Sequence, residues 1–218
     1  MGRDSILNKK QKLILGAFGR EKRLSSVFYL SGGTALSEYY LKHRKSVDLV
    51  FFCREYFNPG AVLESVNAWS GEYGFISKYN FIDPVHIYFL EFKDGEKLKI
   101  DFARYPYPQL EKPTRDFGVV VDSCFDISVN KLLLISQRTE VKDFVDLYFI
   151  LKKFNFWQLR DGLKAKFNVE TEPYLAAMDY TKVKDFEIMP EMQKELSLKK
   201  LKEFFMDQAE KLGRKAVG

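Results

Sequence analysis

Cysteine and histidine are nearly missing from this 218-residue chain, which holds only Cys53, Cys124, His43 and His86. Two isolated cysteines exclude a disulfide framework and a zinc knuckle. Two histidines far apart in sequence exclude a histidine-rich metal centre. Long apolar runs are lacking too: stretches such as Leu147 to Leu151 are far too short to cross a bilayer. Met1 to Lys12 is polar and charged, without the apolar segment of a signal peptide. There is no internal repeat and no low-complexity tract. A cytoplasmic protein with no membrane association is therefore expected.

What is present is ordinary for a globular chain, with 46% hydrophobic and 30% charged residues. The length suits one large domain or two small ones. A formal charge of +5 and a pI near 9.0 lean toward a polyanionic partner, although a lysine excess also describes a plain solvated surface. Aromatic residues make up 16%, and the 20 phenylalanines read as core filler rather than as a base-stacking platform.

Apolar positions Ile6, Leu13, Ile14 and Phe18 predict a helix over residues 6–18. Val27 to Leu30 reads as a short strand ending at Ser31-Gly32-Gly33, followed by a helix from Thr34 to Leu41 and a β-branched, aromatic strand from Val47 to Phe52. Asn58-Pro59 opens a helix running to about Trp69, Asn as cap and Pro in the first turn. Strands are expected at 75–81, 86–92 and 98–104, the last two joined by an Asp94-Gly95 hairpin turn. Pro106 and Pro108 then stop the sheet. Ser123 with Asp126 is a capping-box pattern opening a helix through Ser136, and a second helix covers about Val141 to Phe154. Leu196, Leu201, Phe204, Phe205 and Leu212 form a closing apolar stripe. The chain thus divides into an α/β domain, residues 1–115, and a helical domain, residues 116–218.

Strand alternation places Asp48, Val50 and Phe52 on one face and Val47, Leu49 and Phe51 on the other. On the later strand, Lys97, Lys99 and Asp101 oppose Leu98, Ile100 and Phe102. If the two strands are neighbours, Asp48 and Asp101 converge on a hard cation such as Mg²⁺, which takes carboxylate and phosphate oxygens. Gly32 and Gly33 let the backbone approach a ligand closely, and amide groups beside Thr34 suit a triphosphate bridged by that metal. Taken singly, a Gly-Gly before a helix is also an ordinary turn, and a strand aspartate also an ordinary solvated residue. Their order along the chain is what makes them a site.

Four segments carry a closer likeness: GGTAL at Gly32–Leu36, HRKSVDL at His43–Leu49, KIDFARYPYP at Lys99–Pro108 and NKLLLISQRTEVKDFVDLYFIL at Asn130–Leu151. In this order they resemble the AbiEii/AbiGii toxin family of nucleotidyltransferases, within the DNA polymerase beta-like superfamily. The resemblance covers roughly residues 28–151. It implies an α/β (α+β) fold: a minimal nucleotidyltransferase mixed sheet with flanking helices, followed by a C-terminal helical region. It also implies transfer of a nucleoside monophosphate from a nucleoside triphosphate to a hydroxyl, with the tRNA 3′ end as one acceptor and a cognate antitoxin as partner.

By the same resemblance, Gly32, Gly33 and Thr34 hold the triphosphate, Asp48 and Asp101 bind Mg²⁺, and Asp101 also activates the attacking hydroxyl. Lys131 contacts the nucleotide's phosphates, while Arg138, Lys142, Asp143 and Asp146 shape the nucleotide or acceptor pocket. Lys142 and Asp146 have a second reading as an i, i+4 helix ion pair. His43 and Arg44 position the helix-to-strand turn, and Arg44 alternatively reaches phosphate. The departure is at position 50, where the family pattern has a second acidic residue and this chain has valine. The alternative this raises is a catalytically impaired nucleotide- or RNA-binding protein on the same fold.

Overall fold

The structure is a computed structural model that describes residues 5–217. The first four residues of the polar N-terminal stretch lie outside the described residues. The chain forms two compact units, Met1–Tyr40 with Ser46–Ser123 and Leu41–Lys45 with Cys124–Gly218.

In the first unit, α1 (Lys9–Arg20) and the short α2 (Lys22–Ser25) precede β1 (Tyr29–Ser31). The chain continues through α3 (Gly32–Ala35) into a π-helical segment, Leu36–Leu41, and then into β2 (Leu49–Cys53). After α4 (Pro59–Tyr73) come β3 (Phe75–Ile82), β4 (Val85–Phe92), β5 (Lys97–Arg104), β6 (Thr114–Asp116) and β7 (Val119–Val121). Together these make one mixed seven-stranded sheet in the order β3-β4-β5-β2-β1-β7-β6. This is the expected α/β class. Helix α1 starts at a capping box, Asn8 accepting from the Gln11 N–H at 2.8 Å and Gln11 accepting from the Asn8 N–H at 3.0 Å. Asn58 accepts from the Gly60 N–H at 2.9 Å, with Pro59 in the first turn as expected. The Asp94-Gly95 turn joins β4 to β5, Gly95 taking a φ of 83°.

Strands β6 and β7 were not anticipated from the sequence. They are three residues each, too short to display a period of two, and they turn at Phe117-Gly118 rather than at an Asn or Asp. Gly118 has a φ of 81°, and an added Cβ would lie 2.6 Å from the Gly19 carbonyl oxygen, so this position tolerates no side chain.

Phenylalanine fills the core of this unit. On β2, Leu49, Phe51 and Cys53 are fully buried while Val50 and Phe52 are half-buried. Phe51 stacks on Phe18 of α1 with centroids 4.0 Å apart, and on Phe102 of β5 at 5.1 Å. This stack presses the inner faces of β2 and β5 onto α1 and turns their other faces outward.

The second unit is helical: α5 (Cys124–Gln137), α6 (Val141–Ile150), α7 (Phe156–Phe167), α8 (Pro173–Thr181), a 3₁₀ turn at Lys182–Asp185 and α9 (Leu198–Val217). The closing stripe is inward as expected: Leu201 and Phe205 are fully buried, and Phe205 meets Phe144 and Tyr180 edge-on, each at 5.1 Å. The segment Leu41–Lys45 belongs to this unit because the His43 carbonyl accepts the Gln193 and Lys194 N–H groups at 2.8 and 3.0 Å. Among the described residues, no helix is long and apolar enough to cross a membrane.

The aromatic stack supports a first prediction. Phe51→Ala leaves a cavity between α1 and β5 and lowers stability by about 3–5 kcal/mol, measured by urea denaturation. A loss of about 1 kcal/mol or less would show that the stack does not hold the sheet to α1.

Candidate active site

Parallel pairing of β2 with β5 sets Val50 opposite Asp101, and partners in a ladder share a face of the sheet. Asp48 lies two residues before Val50, one residue ahead of β2, on that same outward side. The two aspartates expected to converge are therefore on one face of adjacent strands. Lys99 joins them: its ammonium is 2.7 Å from Asp101 Oδ2 and 3.8 Å from Asp48 Oδ2. Neither carboxylate is sealed off, their side chains being 12% and 34% exposed. Sequence alternation put Lys99 on the carboxylate side but assigned it no role.

The diglycine turn lies beside this pair. Ser31 pairs with Val50 across β1 and β2, so Gly32 follows directly alongside Val50. Gly32 has a φ of 74°, and a Cβ there would make only ordinary contacts of 3.5 Å with Val50. Backbone conformation, not crowding, demands glycine at this position. Thr34 is buried, and its hydroxyl donates to the Asp48 backbone carbonyl. This bond ties the residue that carries the first carboxylate to the start of the helical segment after the turn. A further residue, missed in the sequence, braces the other side. Buried Asp122 accepts from the Ser31 hydroxyl at 2.9 Å and from Gln109 Nε2 at 3.0 Å, and its carbonyl accepts from the Tyr40 hydroxyl at 2.7 Å. A lone aspartate after a three-residue strand carries no sequence signal for that role.

Among the described residues, no three His, Cys, Asp or Glu side chains are grouped to hold a metal. Two carboxylates are present, and Val50 offers no oxygen where a third would project. Magnesium is commonly held by one or two carboxylates plus substrate phosphates and water. The observed donor set fits that shared mode, and the Lys99 ammonium already demonstrates that the space between the carboxylates accepts a cation.

The remaining sequence-predicted residues, Arg44, Lys131, Arg138 and Asp143, gather in the second unit around Asp146. Arg44 grips Asp146 with two bonds, Nε at 2.7 Å and Nη2 at 2.9 Å, and donates from Nη1 to the Lys45 carbonyl at 2.9 Å. His43 Nε2 donates to Asp146 at 2.6 Å. Of the two roles expected for Arg44, this geometry serves the first, holding the turn. The Lys131 ammonium lies 2.6 Å from both Asp143 and Asp146, and Arg138 Nε lies 2.7 Å from Asp143. Lys131, expected at the nucleotide's phosphates, is thus committed to two buried carboxylates. Asp146, read as a candidate i, i+4 partner of Lys142, is fully buried and serves Arg44, His43 and Lys131 instead. Asp126 likewise pairs with buried Lys166 at 2.7 Å.

Burial works against ionised Asp146, yet Lys131, Arg44 and His43 outweigh it and hold its carboxyl well below the usual range. Asp143 is lowered in the same way, burial being overcome by Lys131 and Arg138. Burial lowers His43, and the bond to Asp146 only partly opposes this. His86 is lowered by burial alone.

A family model described as "Nucleotidyl transferase AbiEii toxin, Type IV TA system" matches residues 17–216. The "Uncharacterized protein aq_aa25" of Aquifex aeolicus (strain VF5) is 32% identical over 138 residues, which is 62% of this chain and 62% of that relative. Among solved structures, JHP933 from Helicobacter pylori superposes with a TM-score of 0.57 at 23% identity, covering 96% of this chain and 94% of that one. MenT4, a nucleotidyltransferase toxin from Mycobacterium tuberculosis H37Rv, gives 0.55 at 15% identity, covering 95% and 90%. At such identities the two structures speak for the fold.

The charge cluster of the second unit sets a second prediction. Asp146→Asn strands Arg44 and Lys131 without their shared counter-charge and costs about 3–5 kcal/mol at neutral pH, read by urea denaturation. In the wild type, both histidines are lowered on folding, so stability declines as pH falls through about 6.5, where the unfolded chain takes up protons first. Asp143 and Asp146 are also lowered, so their contribution persists above about 4 and is lost as pH falls further, through their folded values. Stability that is flat from pH 7 to 4 would contradict this.

Proposed function

The chain belongs to the AbiEii nucleotidyltransferase toxin family, and from that premise we propose that it transfers a nucleoside monophosphate from a nucleoside triphosphate to a hydroxyl of an RNA, the tRNA 3′ end being the acceptor class. The observation that carries this reading is the Asp48–Lys99–Asp101 arrangement beside the Gly32-Gly33 turn. Asp48 and Asp101 would hold one Mg²⁺ jointly with the triphosphate's oxygens. That ion, when bound, supplies positive charge against the negative charge developing on the transferred phosphoryl group.

The remaining steps use the chain's own groups. The turn at Gly32 and Gly33 admits the triphosphate close to the backbone. Lys99 gives up its place between the carboxylates and turns its ammonium to a phosphate oxygen. The acceptor hydroxyl oxygen attacks the α-phosphorus, its proton passes to Asp101, and the bond to pyrophosphate breaks. Positioning and fixed charge do the work. Lys131, Arg138 and Asp143 act as scaffold, holding α5 and α6 together through Asp146 and Asp143. The biological partner under this reading is a cognate antitoxin, and the protein acts in the cytoplasm.

A second reading is favoured by one residue. Val50 projects from the carboxylate face where the family pattern has an acid, and a site one ligand short can retain binding while losing turnover. Transfer of radiolabelled nucleotide from each of the four triphosphates to total tRNA separates the two. The proposed activity predicts labelling by the wild type and a loss of about 10²-fold or more in Asp48→Ala. Labelling only after Val50→Asp, with a silent wild type, would establish the impaired binder instead.

A further inference from the structure

The outward face of the sheet continues past the carboxylate pair as a cavity of about 370 Å³. Its floor is set by register. Lys78 of β3 is opposite Phe89 of β4, and Phe89 is opposite Lys99 of β5. Since Leu49 of β2 pairs with Ile100, Asp48 extends this same row beyond Lys99. Four strands thus present, in order, a lysine, an aromatic ring, a lysine and the first carboxylate. A second row runs parallel to it: Ile76, Glu91 and Lys97.

Phe89 is 46% exposed in a chain whose phenylalanines are mostly core, and Ile76 is 71% exposed. Neither is needed inside, because the opposite face of these strands, with Tyr88, Leu90 and Phe92, supplies the buried layer. An exposed ring flanked by ammonium groups is the pairing that binds single-stranded nucleic acid: any base stacks on the ring and the lysines follow the backbone phosphates. The volume lies within the range of small-molecule sites and suits about one nucleotide. β3 is the edge of the sheet, so the row of charge leads out to solvent from the carboxylates rather than into a closed pocket. Glu91 is the one acid of the second row and lies opposite Lys97.

We propose that this cavity is the acceptor subsite: the terminal nucleotide of a single-stranded nucleic acid stacks on Phe89, its backbone runs over Lys78 and Lys97, and its hydroxyl is delivered to Asp48 and Asp101. The proposal rests on the transfer activity proposed above and assigns its acceptor site. It also gives Lys99 its place, at the junction between the acceptor row and the carboxylates. The expectation that no phenylalanine serves as a stacking platform fails, under this assignment, at Phe89 alone.

Fluorescence anisotropy with a short fluorescein-labelled single-stranded RNA and its DNA counterpart tests it. Phe89→Ala weakens binding about 5- to 100-fold while Phe89→Trp preserves it. The double variant Lys78→Glu with Lys97→Glu weakens binding and flattens its salt dependence. The two probes distinguish RNA from DNA as the source of the strand. Melting curves establish that each variant is folded, and the rise in Tm on adding Mg²⁺ and nucleotide is unchanged in Phe89→Ala. Unaltered affinity in both variants overturns the assignment. So does loss of the nucleotide-induced Tm rise in Phe89→Ala with strand binding intact, which would make the cavity the pocket of the triphosphate's base. Strand binding that depends on Phe89 in a protein that transfers no nucleotide would uphold the subsite and sink the transfer activity.

Discussion

Everything functional in the first unit depends on the register between β2 and β5. Side chains alternate along a strand, so a slip of one residue would send Asp101 into the core and bring Phe102 out. What prevents the slip is the stack of Phe18, Phe51 and Phe102, three rings whose burial requires Phe51 to lie opposite Phe102. Once that pair is inward, Val50 and Asp101 must point the other way, together with Lys99 and Asp48. The hydrophobic core thereby fixes where the charges lie. Thr34 and Asp122 complete the arrangement by tying the diglycine turn to the strand ends on either side of it.

The electrostatics of the two units differ in kind. In the second, Asp143 and Asp146 are buried and matched by Lys131, Arg44 and Arg138, so their charges are spent on holding helices and the Leu41–Lys45 segment in one arrangement. In a buried network of this sort the cost of desolvation offsets much of the attraction between the charges, while removing one member leaves the others uncompensated. In the first, two partly exposed carboxylates share a single flexible lysine, with Val50 in place of a further acid. This contact is part-buried, and its ammonium sits on a flexible four-carbon stem that can swing to another anion. A fixed buried network and an exchangeable part-buried one are suited to a scaffold and a ligand site, respectively.

Much of this was legible in the sequence, and for definite reasons. Strong β-forming runs announced β2, β4 and β5, and alternation along the first and last of these showed which of their faces carried acid. Asn58-Pro59 and Asp94-Gly95 marked a helix start and a hairpin through local backbone chemistry alone. The facts that escaped are those made by tertiary contact. Strands β6 and β7 exist because a three-residue segment pairs with β1, and Gly118 is dictated by a Gly19 carbonyl far away in sequence. Lys131 and Asp146 carried a family signal, but their burial against each other and Arg44 could not be read from helical spacing, which suggested Lys142 instead. Lys99 was visible as a charge on the correct face; that it bridges two acids depends on strand order.

The central claim is that Asp48 and Asp101 together receive a divalent cation and a triphosphate in the place now held by the Lys99 ammonium. Its most direct test is a crystal structure with Mn²⁺ and a non-hydrolysable nucleoside triphosphate analogue, the ion located by its anomalous signal. The account predicts one ion bonded to both carboxylates and to phosphate oxygens, with Lys99 moved onto the polyphosphate. An ion bound elsewhere, or Lys99 still bridging the two aspartates with the nucleotide in place, would contradict it.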